Sequence, residues 1–190
     1  MHPIVRHLLG IDRICGPPSE PPRQGEARRT PLPDSIEGIR FEINTMKQYV
    51  HHFSGDPFVV QVARNLVRSC PDKDWVCEQQ TVYEWLKAHT RYVLDPRYKE
   101  MLVTPARLLR DILSGGVGME DCDGLATLLA TMLSALGHPV KFRFGGTRGV
   151  GIHHVWVQAF NGRRWVDMDL AEKLPYGKHR AFQIYEEEKI

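Results

Sequence analysis

The hydrophobic period of the chain changes once, at Gly137, and this change limits the folds that the sequence can adopt. Before it, apolar residues recur every three or four positions, which predicts a series of helices. After it, apolar and polar residues alternate in VKFRF, HHVWVQAF and RRWVDMD, which predicts strands. Asn161-Gly162 separates the last two strands and predicts a two-residue hairpin turn. Helices followed by an antiparallel sheet indicate the α+β class.

Capping residues mark where several of these helices begin and end. Asp56 and Thr104 each stand directly before a proline, which predicts an N-cap followed by proline at the first helical position. The apolar run that starts at Cys122 is predicted to end at Gly137. A first helix and a third helix are indicated by apolar faces at helical spacing, namely Ile36, Ile39, Ile43, Met46, Val50 and Phe53, and then Trp75, Val82, Trp85, Leu86 and His89.

The first 34 residues differ from the rest of the chain in composition. Seven of the thirteen prolines fall there, and proline removes amide donors and favours extended conformations. We therefore predict an N-terminal arm over residues 1–34 and one domain over residues 35–190. The arm is a candidate contact with other subunits, and a tail without fixed structure is the alternative.

Composition excludes several classes of function. The net charge is +2, and Lys and Arg form no basic run with interleaved aromatic residues, so nucleic-acid binding is not predicted. No apolar run approaches about 18 residues, so no membrane span is predicted either. The N-terminus lacks the apolar core of a secretory signal, and the four cysteines are therefore expected to be reduced thiols in a cytoplasm. Cys70 and Cys77 could join His51 and His52 at a zinc ion, but the cysteine spacing fits no strong metal pattern, so no zinc site is predicted.

Cys122 lies in MEDCDGLATL, at the predicted start of an apolar helix. A lone cysteine is most often a small core residue. A cysteine at a helix N-terminus can instead be a nucleophile, because the helix dipole favours the thiolate. Glu120, Asp121 and Asp123 oppose a thiolate, so a protonated histidine would have to supply much of the activation.

The predicted hairpin offers that histidine and a carboxylate to orient it. A two-residue loop at Asn161-Gly162 places His154 opposite Asp169, within about 5 Å between Cβ atoms, and leaves Asp167 on the diagonal at about 7 Å. His153 points to the other face of the strand. A bulge or a longer loop would shift this register, so Asp169 is favoured and Asp167 is the alternative.

Together these residues make a Cys122–His154–Asp169 set with a role for each member. His154 accepts the thiol proton and later protonates the leaving amine, while Asp169 fixes its tautomer. Backbone amides at the start of the helix are the natural donors to an oxyanion.

The chain resembles the transglutaminase-like superfamily, a branch of the papain-like cysteine enzymes, over about residues 40 to 175. The resemblance rests on EDCDGLATLLATMLSALGHPVKFRF, HHVWVQAF and GRRWVDMD, in that order, and on an aspartate four residues after Trp165. It implies helices with the nucleophile helix packed on an antiparallel sheet. The chain departs from the family pattern at Glu120, where glycine is usual, and at Leu170-Ala171, where Pro-Thr is usual.

The resemblance also implies a chemistry. A thiolate attacks an amide carbonyl of a protein or peptide substrate, and the acyl-enzyme passes to water or to an amine, with no metal and no cofactor required. The alternative that it implies is a bacterial or phage protein that uses the fold for structure or virion assembly, with little or no catalysis. The corresponding location is a cytoplasm, or the host cytoplasm or virion if the chain is phage-encoded.

Overall fold

A computed structural model describes residues 36–95 and 101–190, so the predicted arm lies outside the described residues. Five helices and six strands occur in that part of the chain. They are α1 Ile36–Phe53, α2 Pro57–Val67, α3 Trp75–His89, β1 Thr90–Tyr92, α4 Pro105–Leu113, β2 Gly118–Glu120, α5 Cys122–Ala135, β3 Val140–Thr147, β4 Gly151–Phe160, β5 Trp165–Met168 and β6 Ile184–Lys189.

The predicted helix boundaries are confirmed, with one difference in how a cap is built. Asp56 caps α2, because its Oδ1 accepts hydrogen bonds from the backbone N–H groups of Phe58 and Val59 at 2.9 and 3.2 Å. Thr104 precedes α4 as predicted, but its side chain makes no capping bond. Gly137 follows α5 with a φ of +87°, a backbone conformation that glycine adopts without strain.

A four-stranded antiparallel sheet in the order β5-β4-β3-β6 carries the helices on one face. Helix α5 packs on β4, and its buried leucines join Val155, Val157 and Ala159 in one hydrophobic core. The predicted α+β class is confirmed. Strands β1 and β2 form a separate parallel pair of three residues each, too short for the sequence to show a period. Strand β6 was also not predicted.

The predicted hairpin register is wrong by two residues. Phe160 pairs with Trp165 and Gln158 with Asp167, so the loop contains four residues, 161–164. The cause is Asn161, whose side-chain oxygen accepts hydrogen bonds from the backbone N–H groups of Arg163 and Arg164. These bonds close a wider turn than the two-residue type that Asn-Gly favours.

The expectation of reduced thiols is wrong for Cys70 and Cys77, which form a disulfide. Their Cα atoms are 5.7 Å apart, because the chain turns back between the end of α2 and the first turn of α3. A separation of seven residues does not reveal such a turn, so spacing alone did not predict the bond. Cys122 is the free cysteine among the described residues, and Cys15 lies outside them.

Candidate active site

His154 and Asp169 meet at the edge of the sheet. His154 lies on β4, and Asp169 is the first residue after β5. The imidazole Nε2 lies 2.7 Å from the Asp169 Oδ2, and the two residues are 8% and 0% exposed. An ionised carboxylate only accepts hydrogen bonds, so Nε2 carries the proton and Nδ1 is the basic nitrogen. This is the arrangement that a histidine needs to act as a general base through Nδ1.

Asp169 reaches His154 although the register that suggested the pair was wrong. Strand β5 ends at Met168, and the chain then turns so that the Oδ1 of Asp169 accepts the backbone N–H of Glu172 at 3.1 Å. The hydroxyl of Tyr83 lies 2.9 Å from the carbonyl oxygen of Asp169 and 2.5 Å from that of Leu174. The turn is therefore anchored from α3.

Tyr83 is a residue that the sequence reasoning missed. It is completely buried on the core face of α3, and burial raises the pKa of its hydroxyl. A tyrosine on an apolar helix face is a signal for a buried hydrogen-bond partner, although the sequence does not say which partner.

Asp167, the alternative carboxylate, serves different partners. Its Oδ1 accepts hydrogen bonds from the indole Nε1 of Trp156 at 2.6 Å and from the side-chain amide of Gln158 at 2.8 Å. The imidazole bond goes to Asp169 instead. The two carboxylates are thus divided between the histidine and the tryptophan two residues further along the same strand.

Cys122 is the first residue of α5 and is 6% exposed. Burial is the main cause that raises the pKa of its thiol to about 12. The charges of Glu42 and Asp169 contribute to the increase, while hydrogen bonds from the backbone N–H groups of Val155 and Cys122 oppose it. Burial of the sulfur therefore opposes the thiolate that the helix N-terminus was expected to favour. The desolvation of a buried sulfur outweighs the helix N-terminus, so the thiol is neutral near pH 7.

No hydrogen bond joins the thiol of Cys122 to the imidazole of His154. Within residues 36–95 and 101–190, the hydrogen bonds of this site join His154 to Asp169 and not to Cys122. The Val155 amide that acts on the sulfur belongs to the residue next to His154, and the Asp169 charge also reaches the sulfur. The structure therefore brings two of the three predicted residues into contact and the third close to them.

The charges that raise the thiol pKa are those of Glu42 and Asp169, and not those of Glu120, Asp121 and Asp123 that the sequence suggested. Glu120 is 5% exposed, and burial together with the charges of Asp123 and Asp95 raises its pKa to about 8. Its carboxylate packs on Gly124, where any larger residue would collide with it. Glu120 therefore fills space beside the first turn of α5, and Gly124 leaves room for it.

Tyr92 is a second site residue that the sequence did not indicate. It is 43% exposed at the end of β1. Burial of its hydroxyl and the charges of Cys122 and Asp123 raise its pKa to about 12, so the phenol is neutral at physiological pH.

The described residues contain no group of three or more His, Cys, Asp or Glu side chains arranged to hold a metal ion. In the same residues, no helix is long and apolar enough to cross a membrane.

Comparison with known proteins supports the fold. A sequence model described as the transglutaminase-like superfamily matches residues 60–170. No curated protein sequence matches the chain. The crystal structure of a presumed protease from Parabacteroides distasonis superposes with a TM-score of 0.55 at 13% identity, covering 76% of this chain and 31% of that protein.

Two further solved structures are similar at lower scores. A presumed cysteine protease from Cytophaga hutchinsonii has a TM-score of 0.48 at 12% identity over 66% of this chain and 43% of its own. A protein described as a TGase has a TM-score of 0.38 at 11% identity over 76% of this chain and 36% of its own. The chain thus spans less than half of the length of each of these proteins.

The family match covers more than half of the chain and contains Cys122, His154 and Asp169. It agrees with the α+β architecture and with the position of Cys122 at the start of the central helix. The chain belongs to the transglutaminase-like superfamily.

Proposed function

We propose that the chain is a cysteine-dependent amide hydrolase or acyl transferase in which Cys122 is the nucleophile, His154 the general base and acid, and Asp169 the orienting carboxylate. The observation that carries this proposal is the buried bond of 2.7 Å between His154 Nε2 and Asp169 Oδ2. A buried imidazole held by a carboxylate on one nitrogen has a defined tautomer, and its other nitrogen is the one that can take a proton from a thiol.

The first half of the reaction forms a thioester. The thiol proton moves to His154 Nδ1 as the sulfur attacks the carbonyl carbon of an amide substrate. The carbonyl oxygen takes up the electron pair and accepts hydrogen bonds from backbone N–H groups in the first turn of α5. When the intermediate collapses, the C–N bond breaks, and the nitrogen leaves with the proton from His154 as an amine.

The second half of the reaction regenerates the free enzyme. His154 Nδ1 takes a proton from water or from a second amine, which attacks the thioester carbon. The C–S bond then breaks, and the sulfur leaves with that proton to restore the Cys122 thiol. Water gives hydrolysis and an amine gives transfer. A protein or peptide amide is the substrate class that we infer.

The neutral thiol fits a base-assisted attack better than a standing thiolate–imidazolium pair. With the thiol pKa near 12, the proton leaves the sulfur only when substrate brings the thiol and Nδ1 together. This is the order of events in serine triads, in which the base removes the proton during attack.

The proposal is tested by a screen of fluorogenic peptide amides, with and without a primary amine as acceptor, on the native chain and on Cys122→Ala. We expect turnover that the alanine variant loses. An amine-dependent product assigns transfer, and release without amine assigns hydrolysis. Turnover that survives in Cys122→Ala, or none in either protein, contradicts the proposal.

A structural or assembly function, with the fold retained and catalysis lost, is the second candidate. The observation that supports it is the burial of Cys122 and the raised pKa of its thiol, which are also typical of an inert cysteine in a protein core. The screen separates the two, because this candidate requires a folded native chain without turnover.

A further inference from the structure

The C-terminal segment beyond the family match brings an aromatic ring onto the histidine. Phe182 stacks on His154 with ring centroids 5.5 Å apart and planes 24° from parallel. It also stacks on Trp156 at 5.5 Å and 15°. Offset stacks of this kind occur at centroid separations of about 4.5 to 7 Å. One ring therefore spans the histidine and the tryptophan that follows it on the same face of β4.

The fold leaves a place for this ring. Gly145 pairs with His154 across β3 and β4, so the two residues lie on one face of the sheet. A Cβ atom built on Gly145 would overlap the ring of Phe182. The φ of Gly145 is not positive, so backbone strain does not require glycine there. Close approach of the ring does.

The backbone next to Phe182 is fastened to the sheet. The N–H of Phe182 donates to the hydroxyl of Tyr185 at 2.8 Å. The N–H of Gln183 donates to the carbonyl of Gly146, and its side chain accepts from the N–H of Arg148, both at 2.9 Å. The ring is thus held at the start of β6 and not by a free tail.

The other side of the stack is fixed as well. The indole of Trp156 donates to Asp167, and the ring of His179 stacks on Trp156 at 5.1 Å and 12°. This gives Asp167 a role, because it sets the indole against which Phe182 packs.

We propose that Phe182 is a positioning residue that covers the imidazole of His154 and shields its hydrogen bond to Asp169 from water. The inference rests on the proposed function, since it assigns Phe182 to the same catalytic histidine. An aromatic cover lowers the local dielectric and strengthens the Nε2–Oδ2 bond. It also keeps the imidazole plane fixed, so that Nδ1 stays directed for proton transfer.

The experiment measures exchange of the His154 Nε2 proton with water, by NMR of protein labelled with 15N-histidine. The resonance is assigned by its loss in His154→Gln. We expect Phe182→Ala to speed exchange on the order of tenfold. This factor corresponds to the upper end of the interaction free energy of one stacked aromatic pair. Phe182→Tyr keeps the ring and should keep the native rate.

Gly145→Ala is the second test, because it displaces the ring while Phe182 itself remains. We expect it to speed exchange as Phe182→Ala does. Gly55→Ala is the matched glycine control, since a Cβ there meets no atom closer than 3.9 Å. Phe160→Ala is the matched aromatic control, because Phe160 lies on β4 with His154 but its ring contacts Trp165, at a tilt of 58°. Both controls should leave the exchange rate unchanged.

The proposal is overturned if the Nε2 proton exchanges at the native rate in folded Gly145→Ala, or if Phe160→Ala speeds it equally. If Phe182→Ala does not fold, Gly145→Ala decides. These readouts need no substrate. If the exchange rates are as expected but the protein has no turnover, the covering role of Phe182 stands and the proposed function fails. If the protein has turnover but the exchange rates do not change as expected, the proposed function stands and the covering role fails.

Discussion

Asp169 and Cys122 stand at the ends of neighbouring elements, and both are buried, yet their surroundings differ in kind. Both carboxylate oxygens of Asp169 have donors, from His154 and from the backbone of Glu172, and Tyr83 holds its carbonyl. Around the sulfur, burial and the charges of Glu42 and Asp169 oppose ionisation, and the backbone N–H groups of Val155 and Cys122 favour it. We call His154, Asp169 and their hydrogen-bond partners the assembled side of the site. Cys122 and the acidic residues next to it in the sequence are the thiol side, where burial opposes ionisation of the sulfur.

This difference indicates that, in the proposed reaction, the Cys122 thiol and not the His154–Asp169 pair is the group that has to be activated. A buried network in which every polar group has a hydrogen-bond partner is rigid. His154 and Asp169 therefore already hold their relative geometry in the protein without substrate. The thiol has no hydrogen bond to the imidazole, and burial together with the charges of Glu42 and Asp169 raises its pKa to about 12. In the proposed reaction, substrate binding has to bring the thiol to Nδ1 of His154 before the proton can be transferred. The comparison can be tested on either side.

The largest expected effect is on the assembled side. In Asp169→Asn, the amide can donate to Nε2, which favours the tautomer with the proton on Nδ1 and removes the base. In a serine triad this change costs on the order of 10⁴-fold in turnover, and we expect a loss approaching that for this chain. The measurement is kcat on the substrate found by the screen.

Asp167→Asn is the matched control for that loss. Its oxygen accepts from Trp156 and Gln158 and not from His154, so turnover should fall far less. Equal losses in the two variants would mean that the division between the carboxylates has no catalytic meaning. Both variants need a thermal unfolding curve, because Asp169 is completely buried and its replacement also affects stability.

The next effect in size is on the thiol side. A shift of the thiol pKa from 9.0 to about 12 means about a thousandfold less thiolate at neutral pH. We expect iodoacetamide to alkylate Cys122 slower than a free cysteine by about that factor at pH 7.5, with the rate rising about tenfold per pH unit. Mass mapping under native conditions measures it.

Cys70 and Cys77 provide the internal check in the same experiment, since a disulfide is not alkylated until it is reduced. Rapid alkylation of Cys122 at neutral pH, independent of pH, would show an ionised thiol. It would remove the contrast between the two sides of the site.

The fold and the site also differ in how much of each could be predicted from the sequence. The α+β class and the helix boundaries were predictable, because period and capping are local properties. Asp169 was predicted as the partner of His154 from a register that is wrong by two residues. A shift of two keeps every side chain on its face, but it removes the direct opposition. The contact forms through the turn after β5, which the predicted register did not include.

What the sequence could not predict depends on distant parts of the chain. Burial of Cys122 follows from the packing of α5 against the sheet and of α1 against α5, which the residues near position 122 do not indicate. Phe182 reaches His154 only because β6 pairs with β3. The disulfide depends on a turn between α2 and α3. Each of these is a tertiary property that local pattern does not encode.

A smaller effect concerns stability on the thiol side. Glu120 has a pKa of about 8 in the folded chain against 4.5, so between those values the folded state holds one proton more than the unfolded state. Stability from this group is complete below about pH 4.5 and is lost as pH rises to about 8. The slope is about 1.4 kcal/mol per pH unit. Glu120→Gln should remove it.

Chemical denaturation of the native chain and of Glu120→Gln at pH 6.5 and pH 8 measures this slope. That window avoids His138, whose lowered pKa of about 4 makes stability rise with pH only up to about 6.5. The difference between the two proteins should change by about 2 kcal/mol across the window. An unchanged difference would show that the Glu120 carboxylate is ionised and that the thiol side is better hydrated than the structure indicates.

The smallest expected effect on activity is that of the disulfide. Cys70–Cys77 closes a loop of seven residues' separation, for which chain entropy gives about 2 kcal/mol of stability. The double variant Cys70→Ser/Cys77→Ser should therefore unfold at a lower denaturant concentration but keep kcat. Its bond lies at the start of α3, and the residue of α3 that reaches the site is Tyr83, nearly two turns further on. If kcat falls while KM stays constant, the first turn of α3 positions Tyr83 and, through it, Asp169. The assembled side of the site would then depend on an oxidised bond that the thiol side does not share.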